Sequence, residues 1–287
     1  MKKTTFLSAI FIITIYGCNS SKSESLKQLR EGKKHYQIKN YDSSITFLTK
    51  ALVLDSLNSG AYYFFGKINY EINNYSEGLK YLSLARKHAL RSDSLAFLRL
   101  KILSAMGNYD EFIQYNNELI SKNPSNYKLY FNKARALHNK SYSVETNSAK
   151  VDLLKEAFEN INISIGLNNT DNEIFVLRGV IRYALSDNYG ALDDLNTAIK
   201  QEKQDSSIIS IAYRYKGLTQ VHLNNFTNAE SLLDSAILYE KGIAVLYYNR
   251  GNVRIRLNKI NLACDDYRKA LELGENEAID RIRENCK

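Results

Sequence analysis

Tyr247-Tyr248-Asn249-Arg250-Gly251-Asn252, followed by Ala263-Cys264-Asp265-Asp266-Tyr267-Arg268-Lys269-Ala270-Leu271, is the stretch that decides the fold. Small residues stand at 251, 263 and 270, and apolar residues recur around them at i, i+3, i+4 and i+7. That period belongs to two amphipathic helices joined by a short turn. The same small residues stand 34 positions earlier, at Gly217, Ala229 and Ala236. Nearer the start, Gly32 and Gly66 are 34 apart, as are Tyr41, Tyr75 and Tyr109, Ser44 and Gly78, Leu48 and Leu82, and Ala51 and Ala85. Gly179, Ala191, Leu195 and Ala198 reproduce the internal offsets. Gly or Ala at these places lets neighbouring helices approach closely, while the large residues fill the groove opposite.

Composition agrees with a helical chain. The 287 residues include a single proline, Pro124, where roughly fourteen are expected at ordinary usage. So few prolines disfavour the turn-rich sandwiches and barrels and suit long helices. Hydrophobic content of 44% and charged content of 24% exclude wholesale disorder. The formal charge of +8 is unevenly placed: residues 25–126 carry +5 and residues 127–287 only +1. No run of Lys/Arg exceeds two, which argues against a nucleic-acid tail.

The repeat resembles the tetratricopeptide repeat (TPR) family, whose 34-residue helix-turn-helix unit carries small residues at these offsets and a proline near its end. Pro124 falls at that boundary in the third unit. The resemblance implies an all-α, right-handed superhelical solenoid of about seven units. Units 1–3 cover residues 25–126, unit 4 residues 127–171 and units 5–7 residues 172–274. Residues 275–287 form a capping helix, needed because the last repeat of a solenoid otherwise exposes an apolar face. Two places depart from the pattern. Unit 4 is stretched by about eleven residues around Ser141–Lys150, read as a loop or an extended helix pair of a kind that surfaces tolerate. The fifth-to-sixth spacing is 38, with Lys203–Ser207 absorbing the excess.

The first residues read as a leader. Lys2-Lys3 precede an apolar run from Phe6 to Tyr16, too short for a membrane span and suited to a secretory signal. The run ends in Ile15-Tyr16-Gly17-Cys18, which resembles a bacterial lipobox, with Tyr16 larger than usual. The resemblance implies a signal peptide over residues 1–17, a lipid on Cys18 and a tether over residues 18–24. It places the chain in the bacterial envelope, at the outer membrane facing the periplasm. The chain's ending looks like that of TPR proteins from Bacteroidota-type bacteria. If the last two helices run antiparallel around Gly274, Cys264 and Cys286 lie at about the same height. An oxidising compartment would let them form a disulfide; the alternative is two buried free thiols.

No phosphate loop, nucleophile elbow, zinc-binding pattern or paired-cysteine motif occurs, so no catalytic residue, metal or cofactor is expected. Asp193-Asp194 and Asp265-Asp266 are carboxylate pairs on second helices, where family members often carry acids. The binding surface is more informative. One residue after the small position stand Lys33, Lys67, Lys101 and Arg135, each 34 apart. Three residues before it stand Leu29, Tyr63, Phe97 and Phe131, and four after it Tyr36 and Tyr70. The C-terminal units place Arg214, Tyr248, Asn252 and Arg256 on the same face. In the family this face lines the concave groove. A ladder of aromatic ledges and cations suits an extended or helical peptide carrying acidic side chains or a free C-terminal carboxylate. The family's carboxylate clamp pairs a Lys with an Asn, and here only Asn252 keeps that pattern. The expectation is a lipid-anchored interaction scaffold that binds envelope proteins and no nucleic acid. The alternative is a glycan-capturing lipoprotein serving an outer-membrane transporter.

Overall fold

The computed structural model describes residues 4–200 and 205–286, with side chains from residue 20 onward. Fifteen α-helices and no strand occur among the described residues. They are α1 (Thr4–Gln37), α2 (Tyr41–Leu54), α3 (Ser59–Glu71), α4 (Tyr75–Lys87), α5 (Asp93–Ala105), α6 (Tyr109–Lys122), α7 (Tyr127–Lys140) and α8 (Asn147–Leu167). Then follow α9 (Asn172–Ala184), α10 (Asn188–Ile199), α11 (Ser206–His222), α12 (Phe226–Tyr239), α13 (Ala244–Arg256), α14 (Ile260–Glu272) and α15 (Ala278–Asn285). In chain order these are seven helix pairs and a closing helix.

The turn inside most pairs uses one device. Lys39, Asn73, Gly107, Ser186, Asn224 and Asn258 each follow a first helix with positive φ. A left-handed residue there ends the helix and returns the chain, and Asn tolerates that conformation better than most residues. The starts are capped as well. The side chains of Asn58, Ser92, Thr146 and Asp187 accept hydrogen bonds from Ala61, Leu95, Ala149 and Gly190 backbone N–H groups. Each such cap contributes about 1 kcal/mol.

Inside a pair, the small residue is where the helices meet. A Cβ on Gly66 would stand 2.6 Å from Leu82 Cδ2, and one on Gly251 would stand 2.7 Å from the Tyr267 ring. Leu82 and Tyr267 are themselves almost fully buried. Glycine at 66 and 251 is therefore a packing requirement.

The chain divides into two compact units, Met1–Phe112 and Ile113–Lys287. In the first, Leu29, Leu48, Phe65 and Ile68 form one core cluster, and Leu82, Ala85, Leu98 and Ile102 form the next. In the second, successive pairs bury Ala157, Ile161 and Ile174, then Leu195 and Ala212, then Leu233 and Val253, and finally Tyr267 and Ala278. In the first unit α1 to α5 pack in chain order, and in the second α7 to α15 do, with first helices touching across pairs as α9 touches α11 and α11 touches α13.

Three expectations take a more definite form. The stretch in unit 4 becomes a short turn plus a lengthened α8 of 21 residues. The closing helix begins at Ala278, after Gly274 turns the chain at φ 99°. Leu29 is a core residue, not a groove residue. Within the stretch read as a tether, the Ser21 hydroxyl already donates to the Leu54 carbonyl in the first helix pair. Residues 1–3, the side chains of residues 4–19 and residues 201–204 lie outside what is described, so the lipid on Cys18 and the first two residues of the Lys203–Ser207 spacer do too.

Candidate partner-binding faces

In the first unit the aromatic and basic residues interlock. Lys67 Nζ lies 4.4 Å from the centroid of the Tyr36 ring, 5.9 Å from Tyr63 and 5.2 Å from Phe64. Lys33 Nζ lies 5.3 Å from the same Phe64 ring. The Tyr36 hydroxyl donates to Glu71 Oε1 at 3.2 Å. Phe64, which the repeat register did not single out, thus receives two cations. Burial holds the Lys67 ammonium below its ordinary pKa, partly opposed by Glu71 and reinforced by Lys101. Burial raises the Tyr63 pKa, against a hydrogen bond with Ser94 that lowers it. Lys101 is exposed, Phe97 is half-buried, and Tyr70 packs against Tyr75 at 6.0 Å. Cations on ring faces are stabilised by the ring quadrupole and still have N–H groups to offer an acid.

In the second unit Arg135 lies 5.2 Å from the Phe131 ring and donates to Asn132 Oδ1 at 3.0 Å. Arg214 lies over the Tyr215 ring at 4.7 Å. Both arginines line one cavity of about 350 Å³, floored by Val176, Val180 and Ile208. Nearer the C-terminus the expected face is partly occupied with holding the cap. Asn252 Oδ1 accepts from the Tyr267 hydroxyl at 2.9 Å, and Tyr248 packs on the Tyr267 ring and bonds Arg281 of α15. Arg256 lies 4.5 Å from the Phe226 ring and borders a second cavity with Asn249 and Arg281.

The carboxylate pairs split by role. Asp193 and Asp265 are exposed, while Asp194 and Asp266 are each 3% exposed. Arg178 grips Asp194 with two bonds of 2.9 and 2.6 Å, and Arg182 adds a third of 2.9 Å. Arg250 and Arg254 repeat this on Asp266, with bonds of 3.0, 2.6 and 2.8 Å. Arg250 also reaches Asp234, and Arg254 reaches Glu230, which Lys259 also binds. Burial pushes the Glu230 carboxyl up, but Lys259 and Arg254 prevail and hold it below its ordinary value. These acids are saturated by guanidinium donors and stand as structural locks. The signal was in the sequence: Arg-Gly-x-x-Arg at 178–182 and again at 250–254, each with an Asp 16 residues after its first Arg. Among the described residues no group of three His, Cys, Asp or Glu could hold a metal ion.

Cys264 and Cys286 are joined in a disulfide with their Cα atoms 5.6 Å apart. It ties the end of α15 to α14 beside Tyr267 and Ala278. Closing a loop of this length is worth about 3 kcal/mol in the chain-entropy model.

Residues 244–276, the pair α13 and α14, match the family model described as Tetratricopeptide repeat. No curated protein matches the chain in sequence. Solved structures share the fold. A tetratricopeptide repeat protein from Parabacteroides merdae aligns with a TM-score of 0.72 at 13% identity, over 90% of this chain and 96% of that one. A chain of the APC/C Cut9–Hcn1 hetero-tetramer aligns at 0.68 and 14% identity, over 94% of this chain and 55% of that one. YrrB, described as a TPR protein with an unusual peptide-binding site, aligns at 0.50 and 18% identity, over 68% of this chain and 91% of that one. The all-helical fold is that of tetratricopeptide repeat proteins.

Proposed function

We propose that the chain is a non-enzymatic interaction scaffold that holds an acidic peptide or protein segment on its first-helix faces. We place it in a bacterial envelope, on the periplasmic side of the outer membrane, anchored by acyl chains on Cys18. The observation that carries the binding reading is the convergence of Lys33 and Lys67 on the Phe64 ring, with Tyr36 and Tyr63 beside them. A segment laid there would find apolar ledges and charge-assisted donors together. Each shielded bond to an acid would contribute about 1.5–3 kcal/mol. The anchor reading rests on the lipobox-like residues 15–18, and several acyl chains at about 0.8 kcal/mol per buried CH₂ would hold the protein to a bilayer. The disulfide fits an oxidising compartment.

The test is crosslinking in the native envelope followed by affinity purification of the full chain. Charge reversal at Lys67 and Lys101 together is expected to abolish capture of the partner while the helical melt stays unchanged. Capture retained by that double variant refutes the reading. Recovery of a bound glycan, with no protein, would favour the transporter alternative. Metabolic labelling with an alkyne fatty acid tests the anchor: label lost in Cys18→Ser is the expected result, and no label in the unsubstituted chain ends it.

A further inference from the structure

Two groups of first-helix arginines in the second unit differ in what they meet. Arg178, Arg182, Arg250 and Arg254 each meet a buried or half-buried carboxylate. Arg135 and Arg214 meet none within ion-pair distance among the described residues, yet both line the same cavity. Its floor is aliphatic, with Val176, Val180, Ile208 and Ile211, and the one acid on its lining is Glu173. Arg214 Nε is buried and donates to no acceptor. A buried donor without a partner is uncommon in folded chains. Two unneutralised guanidiniums above an aliphatic floor define a complementary ligand: a carboxylate with an aliphatic group beside it.

The stretch inserted in unit 4 reaches the edge of this cavity. The Tyr142 hydroxyl sits 3.1 Å from His138 Nε2, and the two rings meet edge to face at 5.1 Å. The same hydroxyl is hydrogen-bonded to Tyr215. His138 and Tyr215 both line the cavity. Tyr215 in turn meets the Tyr183 ring at 5.5 Å, and Tyr183 stacks on His222 at 4.5 Å. A side chain from the insertion thereby bonds residues of α7 and α11 that line the cavity.

We infer that this cavity binds an internal peptide segment through an Asp or Glu side chain held between Arg135 and Arg214, with a neighbouring Leu, Ile or Val on the aliphatic floor, and that Tyr142 sets the size of that neighbour. The inference rests on the scaffold reading above and names the ligand chemistry for its second unit. A cavity of about 350 Å³ lies in the range that binding clefts occupy. Planar guanidinium forks suit carboxylate recognition in a way that a lysine does not.

The test applies the full chain to an array of random peptides, each acetylated at its N-terminus and amidated at its C-terminus, so that every carboxylate comes from a side chain. Retained peptides are expected to be enriched in Asp or Glu next to an aliphatic residue. R135Q and R214Q should each weaken them at least tenfold, with the helical melt unchanged. Y142A should keep the need for the acid and lose about fivefold of the preference for Leu over Phe or Trp. R214K, which keeps the charge and removes the fork, should recover only part of the affinity. Peptides bound equally well by R135Q and R214Q overturn this inference and leave the scaffold reading standing. An array on which the unsubstituted chain retains nothing overturns both.

Discussion

The same two places in the repeat are filled in opposite ways in the two units. One residue before the small glycine and fifteen after it, the second helix pair places Phe65 and Tyr81, whose rings stack at 4.9 Å. The fifth and seventh pairs put Arg178 with Asp194 and Arg250 with Asp266 there, bonded at 2.6 Å. The third participant changes in step: Asn69 bonds its own helix at the Phe65 carbonyl, whereas Arg182 and Arg254 turn to the buried aspartate. One backbone geometry thus accepts a dispersion contact or an ion cluster between its two helices. The difference teaches that the repeat fixes where two side chains meet, not what they are. It also separates the consequences of damage. Losing a ring leaves a hole, while losing one member of an ion cluster leaves a charge without a partner.

The largest expected effect comes from breaking the ionic side. Asp266→Ala strips Arg250 and Arg254 of their shared carboxylate. It should cost about 3 kcal/mol, the low end for a buried pair because both arginines retain some exposure and a second acid. Tyr81→Ala should cost about 2 kcal/mol, since its ring is half-buried. Urea unfolding of the full chain measures both, and an Asp266→Ala loss smaller than the Tyr81→Ala loss would reverse the ranking. A transplant sharpens the comparison further. Arg178→Phe, Arg182→Asn and Asp194→Tyr together rebuild the second pair's set in the fifth, and stability should stay within about 1.5 kcal/mol of the starting protein. A collapse of the melt would mean that the surroundings of the fifth pair, and not the three residues alone, demand charge.

The smallest effect is a titration confined to the second unit. Burial lowers the His138 pKa, against a hydrogen bond to Asn139 and in concert with Lys150. A histidine depressed in the folded state takes up its proton more readily when unfolded. Its contribution to stability is therefore complete above the unfolded pKa, about 6.5, and is lost as pH falls toward the folded value. Melts between pH 7 and pH 5 should fall for the unsubstituted chain, and the fall should be shallower in His138→Gln. An equal slope in both would assign the acid sensitivity to other groups.

Much of the fold was legible because the repeat speaks in small residues. Gly66 and Gly251 mark helix crossings at which even a Cβ clashes, so the spacing of 34 that links Gly32 to Gly66 and Gly217 to Gly251 survives in the sequence. The turns were less legible. Asn73, Asn224 and Asn258 share a left-handed conformation with Lys39 and Ser186, and no single residue type announces it. On the binding faces, the 34-residue register put Lys33 and Lys67 on the right helices but did not show that Phe64 would receive both. The register fixes the direction of a side chain, while the ring it rests on comes from a neighbouring helix.

The amino-acid sequence by itself determined the helix pairs, their number and the small residues that let them close, because local periodicity and steric size act on near neighbours. Tertiary structure alone decided which charges are spent and which remain available. Arg178 and Arg214 each stand in a first helix with an aromatic residue within three positions. One finds a buried aspartate 16 residues on, and the other is left facing an aliphatic cavity. Pairing depends on what packing brings within about 3 Å, and electrostatic strength depends on how much water is left there.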